Sequence, residues 1–175
     1  MSRFSWRSIM NKASGWRPAL ESDLQVVYAM HESAHKGLPE SREVLEEKFQ
    51  LFPHGWLVFE KTARIVGYGI SYPWRLYTVP VLNSRMGTLP KCPNCLFLHD
   101  LALLPEARGK NSAQGFLQLA AMLAASHKLQ ALTGVSLYGS SRLWVRYGFA
   151  VVNDPTLNRQ LCSYGPNARY VLRPL

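Results

Sequence analysis

The chain has 175 residues, of which 47% are hydrophobic and 18% are charged, and this composition is typical of one folded globular domain. The net charge of +9 favours an anionic partner, but the basic residues are scattered, so a nucleic-acid-binding protein is not favoured. No apolar run approaches the length of a membrane span, there is no secretory signal, and three cysteines do not make a disulfide framework. We therefore expect a cytoplasmic protein without a membrane partner.

The first 14 residues are predicted to form an extension that precedes the domain. Arg3, Arg7 and Lys12 make the segment basic, and no acidic residue appears before Glu21. Such a composition can mark an organellar transit peptide, but a terminus that packs on the domain or frays is more common. We therefore expect the folded domain to span residues 15–175.

Two helices are predicted near the start of the domain, after a short edge strand at residues 16–19. The polar side chains of residues 21–23 can cap the first helix, which we expect to run to about Ala34. The second begins at Ser41 and carries apolar residues at positions 44, 45 and 49, the pattern of an amphipathic helix.

His31 and His35 lie four residues apart on the first predicted helix, and with Glu32 they match the HExxH pattern of zinc hydrolases. Two imidazoles at this spacing share a helix face and can bind a metal ion. Spacing alone does not identify a third ligand. Because short patterns also occur by chance, we expect an exposed helix face and no metal, with a zinc hydrolase kept as an alternative.

Residues 55–60 and 65–72 predict a β-hairpin, in which Gly67 and Gly69 indicate a bulge or a close approach. Residues 73–94 contain four prolines and form a long connection.

Cys92 and Cys95 make a CxxC pair. Without a second pair we expect a turn leading into a strand, rather than half of a zinc site or a redox pair.

The stretch from Cys95 to Ala125 predicts a buried strand, a tight turn and a buried helix. Its apolar run from Leu96 to Leu104 is interrupted by His99 and Asp100. Alternation along the strand predicts that these two side chains point to opposite faces of the sheet. The basic turn at residues 106–111 lies where the helix begins, and unpaired N–H groups and the helix dipole favour a phosphate or pyrophosphate there.

The turn has neither the P-loop nor the Rossmann pattern. The sequence Arg108-Gly109-Lys110-Asn111-Ser112-Ala113, preceded by Leu-Pro-Glu, resembles instead the acetyl-CoA loop Arg/Gln-x-x-Gly-x-Gly/Ala of the GNAT superfamily of N-acyltransferases. Asn111 stands where glycine is usual, a mild departure because asparagine tolerates positive φ. The resemblance implies that these six residues hold the pyrophosphate, and that the backbone of Leu101, Ala102 and Leu103 pairs with the pantetheine arm.

The predicted strand LHDLAL is similar to the LHxLAV of the arylalkylamine N-acetyltransferases, which places His99 on a histidine that serves in deprotonating the amine. A histidine titrates near neutral pH and can take the proton directly or through water. Asp100 is the other candidate base. A core histidine and a buried ion pair or cap are the structural alternatives for these two residues.

The resemblance also implies that the two early helices and the connection 73–94 flank the acceptor. Trp74, Arg75 and Tyr77 are then candidates for substrate contacts. Four glutamates could meet a cationic acceptor, but we expect them on a solvated helix face: Glu40, Glu43, Glu46 and Glu47.

The last part of the chain predicts a strand at 132–138, a short helix at 142–147, and strands at 149–152 and 168–175. Here SSRLWVRYGF resembles the family's A-x-x-L-Tyr-x-x-x-Gly-Phe segment, with Trp144 where a tyrosine usually protonates the departing CoA thiolate. An indole N–H is not a usable acid. Tyr138, Tyr147, Ser141 or water could substitute; we take Tyr147 as a catalytic candidate and count Ser141 among the cofactor-binding residues.

These patterns predict a single α/β (α+β) domain of the GNAT type, with a mixed, mostly antiparallel central sheet flanked by helices. The resemblance implies an N-acetyltransferase that moves an acetyl group from acetyl-CoA to a primary amine of a small molecule or peptide by direct attack. An acyl-CoA-binding domain impaired in catalysis and the zinc hydrolase are the alternatives. We expect acetyl-CoA and an amine acceptor as partners, and a monomer or homodimer.

Overall fold

A central sheet of seven strands organises the computed structural model, which describes residues 15–109 and 111–175. In chain order the strands are β1 (Trp16–Pro18), β2 (Trp56–Lys61), β3 (Arg64–Trp74), β4 (Cys95–Leu103), β5 (Ala131–Ser136), β6 (Ala150–Val152) and β7 (Arg169–Pro174). The helices are α1 (Leu24–Ala34), α2 (Arg42–Leu51), α3 (Ser112–Ser126), α4 (Ser141–Arg146) and α5 (Pro155–Gln160). The predicted extension at residues 1–14 and the predicted cofactor residue Lys110 lie outside the described residues.

The strands are arranged in the order β1-β2-β3-β4-β5-β7-β6. Strands β4 and β5 are parallel, and the other neighbouring pairs are antiparallel. A parallel pair needs a long crossover, which α3 provides between β4 and β5. The predicted single domain with a mixed, mostly antiparallel sheet is confirmed.

Helices cover both faces of this sheet, as adjacent residues of β3 show. The hydroxyl of Tyr68 reaches His31 of α1, whereas a Cβ on Gly69 would meet the ring of Phe116 from α3. Because successive strand residues point to opposite faces, α1 and α3 lie on opposite sides of the sheet. Within residues 15–109 and 111–175, no helix has both the length and the apolar character needed to cross a membrane.

Gly69 marks the close approach that its position in a strand predicts. A Cβ there would lie 2.2 Å from Cε2 of Phe116, a fully buried ring of α3. We expect Gly69→Ala to lower the free energy of unfolding by about 1–3 kcal/mol, because the ring must shift within a packed core. Urea denaturation of Gly37→Ala is the control, since a Cβ on Gly37 meets nothing within 4 Å. Equal stability of the two variants would contradict this account.

The connection after β3 starts later than predicted, because β3 continues through Pro73 to Trp74. Proline is tolerated at this point of the strand: β2 pairs with β3 only as far as Ile70, so Pro73 has a sheet partner on one side only. The loop at residues 75–94 then packs against α2 and the C-terminal part of the chain, where Tyr164 donates a hydrogen bond to the carbonyl of Pro80.

Helix α5 was not predicted, although its sequence carries a start signal. The Asp154 carboxylate accepts hydrogen bonds from the amides of Thr156 and Leu157, and Pro155 occupies the first helical position. This combination of an aspartate cap and an N1 proline is a common helix start. The segment buries Leu157, Leu161 and Tyr164 against the core, and so holds the loop 75–94 in place.

Candidate active site

A β-bulge in β4 brings His99 and Asp100 to the same side of the sheet. Ile70 pairs with Asp100 and Ser71 with Leu98, so His99 is an extra residue between two registered pairs. The prediction of opposite faces is therefore wrong, because one inserted residue resets the alternation of the strand. The side chains of both residues bond to tyrosines that share one face of β3, His99 to Tyr72 and Asp100 to Tyr68.

Strands β4 and β5 separate at the bulge. Their registered pairing covers Cys95–Leu98 and ends at Leu98 and Gly134, although β4 itself runs on to Leu103. Residues 101–103 are half-buried, unlike the fully buried start of the strand. The gap between the two strands exposes a backbone edge of β4 that an extended ligand can pair with, in the manner of an added strand.

The predicted phosphate turn lies at the end of this gap. Gly109 has a φ of 75° and Asn111 a φ of 63°, so both adopt the left-handed conformation that glycine and asparagine tolerate. Ser112 then begins α3, with Ala113 in its first turn. Arg108 is exposed, and its Nε donates to the carbonyl of Leu103, which fixes the base of the side chain over the strand end.

A cavity of about 230 Å³ opens on the bulge and the gap between the strands. One end is polar and is lined by His31, His35, Glu40, His99 and Asp100. The rest is largely apolar and aromatic: Leu38, Leu82, Leu98, Leu101, Val135, Leu137, Tyr138, Leu143, Trp144 and Tyr164. A larger groove of about 720 Å³ is lined by the other predicted cofactor residues of this region, Ala102, Leu103 and Arg108.

Glu40 is buried at the polar end, so the predicted solvated position of this residue is wrong. Its carboxylate accepts from Nζ of Lys48 at 2.9 Å and from Nε2 of His99 at 2.6 Å, and the Glu40 and Lys48 side chains are each 1% exposed. Nδ1 of His99 lies 3.1 Å from the hydroxyl of Tyr72. Both ring nitrogens of His99 therefore have protein partners, an arrangement that agrees with the structural alternative of a core histidine.

Asp100 is the centre of a second buried cluster. Its carboxylate accepts from the Tyr68 hydroxyl at 2.5 Å, and lies 3.1 Å from Nδ1 of His31 and 3.0 Å from Nε2 of His35. His31 is 3% exposed, so the expectation of an exposed helix face is wrong for this residue. His31 lies three and four residues after the buried Tyr28 and Val27 of α1, so it shares their face, and helical periodicity could have indicated its burial.

The three residues of this cluster could hold a metal ion. One donor atom from each of His31, His35 and Asp100 lies within 4.8 Å of the others. Asp100 is thus the third donor that spacing did not identify. Glu32, the glutamate of the HExxH pattern, is 57% exposed and pairs with Arg42, so it is turned away from the cluster.

Burial and hydrogen bonds shift the pKa values of three groups in this cluster. Burial would raise the pKa of Asp100, but hydrogen bonds from His31 and His35 hold the pKa of this carboxyl well below its usual range. Burial lowers the pKa of His35, but the Asp100 carboxylate outweighs it and the net pKa is raised. Burial and the same carboxylate raise the pKa of Tyr68 well above its usual value, so its hydroxyl stays protonated and donates.

Some of the other predicted site residues line the cavity and others do not. Trp144 and Tyr138 line it, and the Tyr138 ring stacks on His35 with centroids 6.2 Å apart. Tyr147 follows α4 and packs against the core. Oγ of Ser141 lies 3.0 Å from Oγ of Ser136. Tyr147 and Ser141 are not among the residues that line the cavity.

The predicted contacts in the connection after β3 also fall outside the cavity lining. Leu82 lines it instead of Trp74, Arg75 or Tyr77.

Cys92 is exposed and Cys95 is buried at the start of β4, where burial raises the pKa of its thiol to about 11. A protonated, buried thiol fits the predicted turn into a strand.

Sequence reasoning missed Tyr68, Lys48 and Tyr164 as parts of the site. Tyr68 and Tyr72, four residues apart in a predicted strand, share a face, and this spacing could have indicated paired hydroxyl groups. Lys48 carries no comparable signal, because a lysine in an amphipathic helix is normally exposed.

Three solved structures illustrate the similarity of this fold to known ones. N-acetylglutamate synthase from Neisseria gonorrhoeae, solved with coenzyme A and N-acetyl-glutamate, is 17% identical with a TM-score of 0.69 over 91% of this chain and 34% of that one. Ard1 from Thermoplasma volcanium is 14% identical with a TM-score of 0.69 over 93% and 98% of the two chains. A ribosomal-protein-alanine N-acetyltransferase from Brucella melitensis is 17% identical with a TM-score of 0.63 over 91% and 99%.

These likenesses show the fold, and the present chain spans about a third of the length of the N-acetylglutamate synthase. No curated protein sequence matches the chain. The sequence profile of the acetyltransferase (GNAT) family matches residues 24–149, which include α1, the bulged β4, the phosphate turn and α4. On this match over most of its length, the chain belongs to the acetyltransferase (GNAT) family.

Proposed function

We propose that this protein is an N-acetyltransferase that moves an acetyl group from acetyl-CoA to a primary amine. The observation that carries the proposal is the gap between β4 and β5, with the phosphate turn at one end and the cavity at the bulge. A pantetheine arm lying along residues 101–103 would place its thioester at the cavity. Its pyrophosphate would meet the first turn of α3 beside Arg108.

The proposed reaction is a direct attack. The amine nitrogen forms a bond to the thioester carbonyl carbon, the C–S bond breaks, and CoA leaves as a thiolate. The ammonium loses one proton before the attack and the nitrogen loses a second after the new bond has formed, and we assign both protons to water in the cavity. The Asp100 carboxylate, whose pKa is held well below its usual range, stays ionised and stabilises the positive charge on the attacking nitrogen. His99, held by Glu40 and Tyr72, then serves to position the bulge. Holding both reactants in one cavity supplies much of the rate enhancement.

The apolar body of the cavity supports an acceptor whose amine is attached to a small apolar group. Its polar end carries two carboxylates, Glu40 and Asp100, of which Glu40 pairs with the buried Lys48. Asp100 has no lysine partner, and we propose that it is the carboxylate that faces the ammonium group of the acceptor.

A domain that binds acyl-CoA without turnover is the second candidate, and Trp144 favours it. The indole lines the cavity where the family resemblance places a tyrosine, and Tyr147 lies outside the lining. Tyr138 lies in the cavity with its hydroxyl-bearing ring largely exposed, and we propose it as the group that returns a proton to the thiolate. Detection of free thiol from acetyl-CoA across a panel of amines separates the two candidates.

The cofactor part of the proposal is tested by replacing Arg108 with glutamate. We expect acetyl-CoA to bind about 10–100-fold more weakly, because a charge-assisted contact is lost and a like charge is placed beside the pyrophosphate. Isothermal titration calorimetry measures the change. Arg159→Glu changes the net charge equally on exposed α5 and should bind like wild type. Equal weakening in both variants, or no binding by folded wild type, would refute the assignment of the loop.

A further inference from the structure

Two histidines, His31 and His35, lie beside Asp100, and the proposed acyl transfer gives neither of them a role. We propose that these three residues bind one divalent transition-metal ion of the zinc class, at the polar end of the cavity. The proposal goes beyond the transferase reaction and does not depend on it. It rests on the convergence of two imidazole nitrogens and one carboxylate from α1, its C-terminal end and the β4 bulge.

The distances in the cluster are close to those of a tetrahedral site. Zinc binds imidazole nitrogen and carboxylate oxygen at about 2.0–2.2 Å, so neighbouring donors of a tetrahedron lie about 3.3 Å apart. Nδ1 of His31 lies 3.1 Å from Oδ2 of Asp100, and Nε2 of His35 lies 3.0 Å from Oδ1 and Oδ2. All three donor atoms lie within 4.8 Å of one another, so the two imidazole rings would move towards each other to hold an ion.

The donor set selects the class of metal. Two imidazoles and one carboxylate suit zinc, cobalt and nickel, whereas magnesium and calcium prefer oxygen ligands. Three protein ligands leave one position of a tetrahedral ion for water or another ligand. Because all three residues line the cavity, that position faces its interior.

The surroundings provide the support that a metal ligand needs. The Tyr68 hydroxyl donates to Oδ2 of Asp100 and so orients the carboxylate. The side chains of His31, His35 and Asp100 are only 3%, 15% and 8% exposed, which limits competition from water. The polar contacts of His31 all lie on its Nδ1 side, because Nε2 is buried without a hydrogen-bond partner among the described residues.

This site differs from that of an HExxH hydrolase. In such enzymes the glutamate between the two histidines serves as the general base beside the metal. Here Glu32 is exposed and paired with Arg42, so it lies outside the cluster. A bound metal ion would occupy the imidazole lone pairs and the carboxylate oxygens that otherwise take part in hydrogen bonds. A metal ion and the ammonium group of an acceptor would therefore compete for Asp100.

Zinc titration of the whole chain tests the proposal. Cys92 and Cys162 are exposed thiols and are replaced by serine in every protein used, so that they do not compete for zinc. After treatment with EDTA, calorimetry should show one zinc ion per chain. Binding should weaken about 10–100-fold in Tyr68→Phe, where only the support of the carboxylate is lost, and at least as much in His35→Gln and in Asp100→Asn, where a ligand is lost.

His54→Gln is the matched control, because His54 is exposed and lies outside the cluster. Its zinc affinity should equal that of the parent protein. Thermal unfolding without metal checks that each variant is folded, and zinc should raise the melting temperature of the parent but not of His35→Gln. The visible spectrum of bound cobalt gives an independent record of coordination. No saturable binding by the folded parent protein, or unchanged affinity in His35→Gln and Asp100→Asn, would overturn the proposal.

Discussion

Replacing Glu40 with glutamine is expected to lower the free energy of unfolding by about 3–5 kcal/mol. The substitution leaves the ammonium of Lys48 buried without a counter-charge, and Lys48 is only 1% exposed. It also weakens the link from Glu40 to His99 and to the amide of Asn83, which joins the bulge of β4 to the loop 75–94. Urea denaturation at neutral pH measures the effect.

A double variant separates the unpaired charge from general damage to the core. Combining Glu40→Gln with Lys48→Met removes both charges and should recover part of the lost stability, because the uncompensated buried ammonium is gone. A single Glu40→Gln variant that loses less than about 1 kcal/mol would show that Lys48 finds water or another partner, and the account of this pair would then fail.

The Glu40 effect should depend on pH in one direction. Burial would raise the pKa of Glu40, but His99 and Lys48 hold it well below its usual range in the folded protein. The stability from this carboxylate is therefore fully present above its unfolded pKa of about 4.3, and is lost as pH falls towards the folded value. The difference between wild type and Glu40→Gln should shrink when denaturation is repeated below about pH 4.

Replacing Asp100 with asparagine is expected to lower kcat/KM for acetyl transfer by about 10²–10³-fold, because a charge that stabilises the attacking nitrogen is lost. Asparagine keeps the shape of the side chain and can still accept a hydrogen bond from Tyr68. It removes the buried negative charge that we place beside the attacking amine. The measurement is thiol release from acetyl-CoA with the best amine of the panel.

Binding of acetyl-CoA is the internal control for this experiment. The affinity of Asp100→Asn for acetyl-CoA should match that of wild type, because the proposed pyrophosphate site lies at the start of α3 rather than at the bulge. Glu46→Gln neutralises an exposed acid of α2 and should leave kcat/KM unchanged. Full activity of Asp100→Asn would remove Asp100 from the proposed mechanism.

Local patterns predicted most of the secondary structure. The hairpin β2–β3, the helices α1 and α2, and the order of strand, turn and helix at residues 95–126 lie within a few residues of their predicted places. Each is specified by neighbours in the chain, through alternation, helical periodicity and capping groups. The positive φ of Asn111 was also predictable, because few residues tolerate that conformation. Helix α5 was missed although Asp154 and Pro155 give a local signal for its start, because that signal was not used.

The site itself was less predictable, because its contacts join distant segments. His31 and Asp100 are 69 residues apart in the chain, and Glu40 and His99 are 59 apart. A bulge adds one residue without changing the composition of a strand, so the shared face of His99 and Asp100 left no trace in the pattern of β4. The burial of Glu40 depends on Lys48 and His99 together, and each partner alone would not keep a carboxylate out of water.

The sequence by itself determined the family, the strand–turn–helix unit at residues 95–126 and the residues that carry charge and imidazole groups, because these depend on local order along the chain. The tertiary structure decided which of those residues meet. Packing of α1 on β4, the bulge at His99 and the separation of β4 from β5 placed two histidines and a carboxylate at one end of a cavity. Such contacts depend on register and on the orientation of a helix face, and both follow from the packing of the whole domain.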